Sequence, residues 1–203
     1  MVTVSHHHGE HDTLILASSS PRRYHLLTEA GVAFEVVAPV DVAEDFPPGE
    51  KAEALVVRHA LAKARSVARE RPGRTVLGVD TVVVLDGVIY GKPADEAEAH
   101  RYLRKLQRRT HTVYSGLALL VGVDGRELTA YEATEVTIRP LSDEEIDIYI
   151  ETGEPLDKAG AYAIQGKGAF LVERVDGDYF NVVGLPLYHL SLLLAQLGFE
   201  LFR

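Results

Sequence analysis

Residues 78–93 read GVDTVVVLDGVIYGKP, an apolar and β-branched run interrupted by Gly78 and Asp80. Such a run reads as a buried strand, where a carboxylate needs a reason. Asp86-Gly87 is a residue pair favoured in two-residue turns, so Val82–Leu85 and Val88–Tyr90 are expected to form a hairpin. Asp80 enters this hairpin and Lys92 leaves it, each near a glycine or proline that permits close approach. The two can therefore face one bound phosphate and its metal. The competing reading is plain: a solvated acid at a strand end and a lysine in a loop.

Upstream, Thr13–Ala17 is a short apolar strand that runs directly into SSSPRR, residues 18–23. Ser20 suits an N-cap and Pro21 the first helical position; Leu26, Leu27 and Ala30 make a helical stripe, and Gly31 ends it. Arg22 and Arg23 fall in the first turn, where cations oppose the helix dipole. That placement, beside serines and unpaired amides, points to an anion such as a phosphate; the alternative is two solvated arginines. Phe34–Ala38 reads as a second strand, followed by a Pro- and acid-containing loop from Pro39 to Gly49. Asp41, Glu44 and Asp45 in this loop are candidates for metal contact. A long helix is expected from Glu50 to Glu70, with Val56, Ala60, Lys63 and Val67 on one face. Lys63 thus follows the apolar stripe, either snorkelling to solvent or reaching a buried anionic site.

Downstream, Asp95 and Glu98 have capping-box spacing, and Ala99, Leu103 and Leu106 form the apolar face of the helix that follows. Thr110–Val121 and Glu127–Arg139 read as strands joined around Asp124-Gly125. On the second, Leu128, Ala130, Thr134, Val136 and Ile138 share a face. Ser142 and Glu145 cap a further helix that stops at Gly153. Residues 157–186, DKAGAYAIQGKGAFLVERVDGDYFNVVGLP, are glycine-rich. Gly160, Gly166 and Gly168 offer close-approach backbone, with Asp157, Lys158 and Gln165 as polar groups along it. The segment can hold a planar base or form a hairpin with bulges. A helix carrying Leu187, Leu190, Leu193, Leu194 and Leu197 follows as core.

Composition narrows the class. The chain has 203 residues, 46% hydrophobic and 25% charged, enough for one substantial core. A formal net charge of -9 disfavours a nucleic-acid coat or an anionic-membrane binder and suits a small anionic ligand held in a local basic pocket. With no cysteine, disulfides and thiol catalysis are excluded. The opening MVTVSHHHGEHD lacks the pattern of an export signal and no apolar run reaches the ~20 residues of a membrane span, so a cytoplasmic protein is expected. Residues 1–12 are expected to be a disordered extension ahead of one domain spanning 13–203. His6, His7, His8 and His11 in it are at most a weak chelating cluster.

Taken in order, SSSPRR, GVDT followed by GKP, and DKAGAYAIQG followed by NVVGLP resemble the Maf family of nucleoside triphosphate pyrophosphatases, from about Leu14 to the C-terminal helix. The resemblance implies an α/β fold with an elongated mixed β-sheet, flanking helices and a cleft between two lobes, akin to inosine triphosphate pyrophosphatases. It implies hydrolysis of a nucleoside triphosphate to the monophosphate and pyrophosphate with a divalent cation, Mg²⁺ or Mn²⁺. Carried over by motif, Ser18, Arg22 and Arg23 contact phosphates, Asp80 is the proton acceptor, and Lys63 and Lys92 neutralise charge. Glu44 and Asp80 are the metal ligands it implies. The family's acidic pair is usually Asp-Glu, however, so Asp41 and Asp45 stay open beside Glu44. Arg22, Thr81 and Gln165 match the subgroup acting on dTTP and UTP, in the house-cleaning of nucleotide pools. A methylguanosine-type subgroup acting on 7-methyl-GTP typically carries Glu in place of Gln165. A non-catalytic regulator of septum formation is a different class of alternative, and a homodimer is compatible with the resemblance. Two departures stand out: His59 occupies a usually apolar position, and GVDT replaces the commoner GADT.

Overall fold

The computed structural model describes residues 13–199; the expectations for residues 1–12, including the histidine cluster, lie outside the described residues. A seven-stranded mixed sheet runs in the order Phe34–Val36 (β2), Leu14–Ala17 (β1), Thr75–Leu85 (β3), Thr110–Val121 (β5), Glu127–Ile138 (β6) and Val172–Asp176 (β7), with Val88–Tyr90 (β4) paired to β3. β1 (Leu14–Ala17) lies parallel to both β2 (Phe34–Val36) and β3 (Thr75–Leu85). The long strands β5 (Thr110–Val121) and β6 (Glu127–Ile138) continue the sheet antiparallel from β3. Six α-helices complete the described fold: α1 (Pro21–Glu29), α2 (Ala52–Ala68), α3 (Glu96–Leu106), α4 (Asp143–Glu151), α5 (Tyr179–Val183) and α6 (Leu187–Ala195).

β3 passes unbroken through Gly78 and Asp80 and turns into β4 (Val88–Tyr90). Asp86 and Gly87 take φ of 52° and 76°, the pair of left-handed residues that matches the twist of a tight hairpin. Gly78 has a second reason. A side chain there would collide with the Ala60 carbonyl oxygen, and one at Gly116 on β5 would collide with the Val56 backbone. These two glycines let α2 lie directly on the sheet, with Val56, Ala60, Lys63 and Val67 all buried.

Two core clusters occupy opposite ends of the long strands. Leu77 and Val79 of β3, with Leu117 and Leu119 of β5, pack against α1 and α6. Val83 and Leu85, with Val113 of β5 and Ile138 of β6, pack against α3 and α4. Asp80 and Thr81 fall between the two clusters, where the lobes part. The caps at Asp95 and Ser142 form as the spacing predicts, the second as a full capping box.

Several boundaries differ from expectation. β2 ends at Val36 rather than Ala38, because its partner β1 ends at Ala17, and α2 covers 52–68 rather than 50–70. The segment 157–186 is neither one loop nor a hairpin. It holds 3-10 turns at Ala159–Ala161 and Gly166–Phe170, then β7 (Val172–Asp176), then α5. β7 pairs antiparallel with β6, a partner too far along the chain for a local turn signal to reveal. No helix among the described residues is long and apolar enough to cross a membrane.

Candidate active site

A cleft of about 660 Å³ opens between the lobes. From the α1 side it is lined by Ser18, Arg22 and Arg23, and from α2 and β3 by Lys63, Asp80 and Thr81. Glu44, Lys92 and Gln165 enter from three loops, so these nine candidate residues of the sequence reading line one cleft, while Asp41 and Asp45 do not.

Asp80 is the buried centre of the cluster, 6% exposed. Lys63 Nζ donates to its Oδ1 at 2.5 Å, and His59 Nδ1 lies 3.0 Å from its Oδ2. His59 and Lys63 stand four residues apart on α2, so one helical face presents both to the same carboxylate. The other ring nitrogen of His59, Nε2, lies 3.0 Å from the Asp45 carbonyl oxygen. A carbonyl only accepts, so Nε2 carries a proton; an ionised Asp80 calls for a second proton on Nδ1. The imidazolium follows. Burial opposes its charge, but the hydrogen bond and charge of Asp80 outweigh burial and raise the His59 pKa. For Asp80, burial alone would favour the neutral acid; His59 and Lys63 overcome it and hold the carboxyl below its ordinary range.

Thr81, the next residue on β3, turns to the opposite face, where its hydroxyl oxygen accepts from Arg23 Nη2 at 3.1 Å and lies 2.8 Å from Ser115 Oγ. Arg23 Nε donates to the Gly184 carbonyl at 2.9 Å and Nη1 to Ser18 Oγ at 3.2 Å. Burial lowers its pKa to about 10, against the pull of Asp80, so it remains a cation at neutral pH. Arg23 is thus partly a structural tie between α1, β3 and the turn after α5. Thr81 is engaged within the protein as well, which makes its hydroxyl a support for Arg23 before it is a ligand contact. Ser20 holds the N-cap position of α1, yet its side chain caps nothing. Ser18 Oγ instead accepts the Ser20 amide at 3.1 Å. Among the described residues Arg22, Lys92 and Gln165 make no side-chain hydrogen bond or ion pair, and all three face the cleft.

The family described as Maf-like protein matches residues 13–197. This chain belongs to the Maf family. A dTTP/UTP pyrophosphatase of Symbiobacterium thermophilum is 51% identical over 189 residues, 93% of this chain and 96% of that protein. The dTTP/UTP pyrophosphatase of Dictyoglomus turgidum is 49% identical over 189 residues, 93% of this chain and 97% of that protein. Among solved structures, the nucleoside-triphosphatase / dITP/XTP pyrophosphatase of Mycobacterium abscessus has a TM-score of 0.43 at 18% identity, covering 91% of this chain and 94% of that one.

The three acids left open in the Maf loop now separate. Glu44 lines the cleft and its Oε1 is 2.6 Å from Lys63 Nζ. Asp45 is instead paired with Arg58 at 2.8 Å, and Asp41 does not line the cleft. No group of three or more acidic or histidine side chains is arranged for a metal among the described residues. Two carboxylates, Asp80 and Glu44, nevertheless converge on one ammonium. Such an oxygen donor set fits a hard divalent cation whose remaining ligands come from phosphate oxygens and water.

His59 is the residue whose place in the site sequence reasoning missed. Its signal was a histidine on an otherwise apolar face, one turn before Lys63. Phe46 meets the ring edge-on at 5.9 Å, and His59 is buried at the wall of the cleft.

Proposed function

We propose that this Maf chain hydrolyses dTTP and UTP to the nucleoside monophosphate and pyrophosphate. The observation that carries the reading is the buried Asp80 carboxyl, held by Lys63, in the same cleft as the uncommitted Arg22, Lys92 and Gln165. The names of the relatives, dTTP/UTP pyrophosphatases at about half identity over nearly the whole chain, support the same substrates.

In hydrolysis, water oxygen forms a bond to the α-phosphorus of the α,β-anhydride as the bond from that phosphorus to the bridging oxygen breaks, and the electron pair leaves on pyrophosphate. Asp80 orients that water through an accepted hydrogen bond and takes up its proton as the new bond forms. Its low pKa suits the first task. The second becomes easier when the incoming phosphates draw Lys63 away from Oδ1. Arg22, Arg23 and Lys92 face the charge that gathers on the leaving pyrophosphate, where fixed cations lower the barrier most. A divalent cation held by Asp80 and Glu44 would supply Lewis-acid neutralisation of the triphosphate.

Gln165 selects the base. Its amide offers a donor and an acceptor, which meet a uracil or thymine carbonyl and the N3 proton together; cytosine presents a mismatched edge. Release of pyrophosphate from a panel of dTTP, UTP, CTP, GTP and 7-methyl-GTP, with Mg²⁺ and with Mn²⁺, tests the proposal. Fastest turnover on dTTP and UTP is expected. Faster hydrolysis of 7-methyl-GTP, or base preference unchanged in Gln165→Glu, overturns the specificity, and no turnover on any nucleotide overturns the activity.

A further inference from the structure

Gln165 sits in a segment fastened on both flanks to one pair of side chains. Tyr149 of α4 accepts the Ala163 amide at 3.1 Å and donates its hydroxyl proton to Glu154 Oε1 at 2.8 Å. Glu154 Oε1 also accepts the Gly168 amide at 2.9 Å, and Oε2 accepts the Lys167 amide at 3.1 Å. The glycines around these bonds are shaped to the pair. Gly166 takes φ of 66°, and a side chain there would run into Glu154 Oε2. One at Gly168 would run into the Ala163 carbonyl oxygen and the Tyr149 hydroxyl. Burial and the neighbouring Glu154 keep the Tyr149 hydroxyl protonated, while the amides and Tyr149 hold Glu154 ionised, so donor and acceptor roles in the pair are fixed.

We infer that Tyr149 and Glu154 are positioning residues for base specificity, acting through the backbone of residues 163–168. This rests on the reading of Gln165 as the residue that meets the base. A loose segment would let Gln165 shift and turn its amide to suit the reversed donor and acceptor order of cytosine. A segment held by three backbone amides resists that adjustment, and the cost of ordering it is met in folding instead of in binding. Neither side chain lines the cleft, so any effect on base choice passes through the segment they hold.

Tyr149→Phe keeps the ring and removes both hydroxyl bonds. The experiment measures kcat and KM for UTP and CTP in the full chain carrying Tyr149→Phe, Glu154→Asp or Gln165→Ala. The UTP/CTP ratio of kcat/KM is expected to fall about 5-fold in each of the first two, on the scale of one net hydrogen bond, chiefly through a higher KM for UTP. A merely structural role predicts a lower Tm with the ratio intact. That result, with the ratio lost in Gln165→Ala, overturns the inference alone. If Gln165→Ala leaves the ratio intact, the reading of Gln165 fails and the inference falls with it. Should Tyr149→Phe fail to fold, Glu154→Asp decides, since it keeps the charge and moves only the acceptor oxygens.

Discussion

The Asp80 carboxylate is held from both sides: His59 Nδ1 meets Oδ2 at 3.0 Å while Lys63 Nζ meets Oδ1 at 2.5 Å. Because His59 also reaches the Asp45 carbonyl, the same ring ties the Pro39–Gly49 loop, with Glu44 on it, to the central acid. His59→Leu removes both bonds and leaves one carboxylate oxygen unpaired in a buried site. A drop in kcat of roughly 10- to 100-fold is expected, the worth of one charge-assisted hydrogen bond. His59→Asn, whose amide can stand where Nδ1 stands, should recover part of it. Steady-state kinetics check both, and a leucine variant with wild-type kcat would contradict the role.

Asp80→Asn conserves shape but removes the proton acceptor. Turnover is expected to fall by roughly 10²- to 10⁴-fold, with circular dichroism and nucleotide binding retained. Pyrophosphate release measured alongside equilibrium binding of a non-hydrolysable analogue separates the two effects. Near-wild-type turnover would remove Asp80 from the chemistry.

Activity should require an added divalent cation. Asp80, Glu44 and the triphosphate all carry negative charge, and a bridging cation relieves the repulsion between the two carboxylates and the phosphates. Excess chelator is expected to abolish pyrophosphate release, and Mg²⁺ or Mn²⁺ to restore it. Undiminished hydrolysis in chelator would sink this expectation.

His111 on β5 is 2% exposed, with Nε2 2.7 Å from the Tyr162 hydroxyl and Nδ1 buried without a partner. Burial lowers its pKa to about 4. The unfolded chain therefore takes a proton as pH falls through about 6.5, while the folded chain does not until about 4. Stability from this group is present above pH ~6.5 and is lost as pH falls towards ~4, by about 3 kcal/mol in all. Urea midpoints between those limits should slope downward with acid in the native chain and more shallowly in His111→Phe. Parallel slopes would show that His111 is not the titrating group.

Gly78→Ala places a methyl group against the backbone of α2, which cannot yield as a flexible side chain would. A loss of about 2 kcal/mol or more is expected, read as a lowered Tm. An unchanged Tm would mean that α2 shifts freely on β3.

Sequence alone determined the elements whose causes are local. The hairpin at Asp86-Gly87, the caps at Asp95 and Ser142, and the place of Lys63 on the apolar stripe of α2 follow from turn chemistry, capping spacing and helical periodicity, each contained within a few residues. The motif residues were also legible as a set, through their resemblance to one family. Tertiary structure decided partners. Periodicity reports that a side chain is buried but not what it meets. That Lys63 reaches Asp80 and Glu44, that His59 joins them, and that Arg23 bonds the Gly184 carbonyl depend on α2 seating against Gly78 and Gly116 and on α5 closing over β5. β7 and the clamp on Gln165 were hidden for the same reason, since their hydrogen bonds run to β6 and to the Tyr149–Glu154 pair, elements that only the folded chain brings alongside.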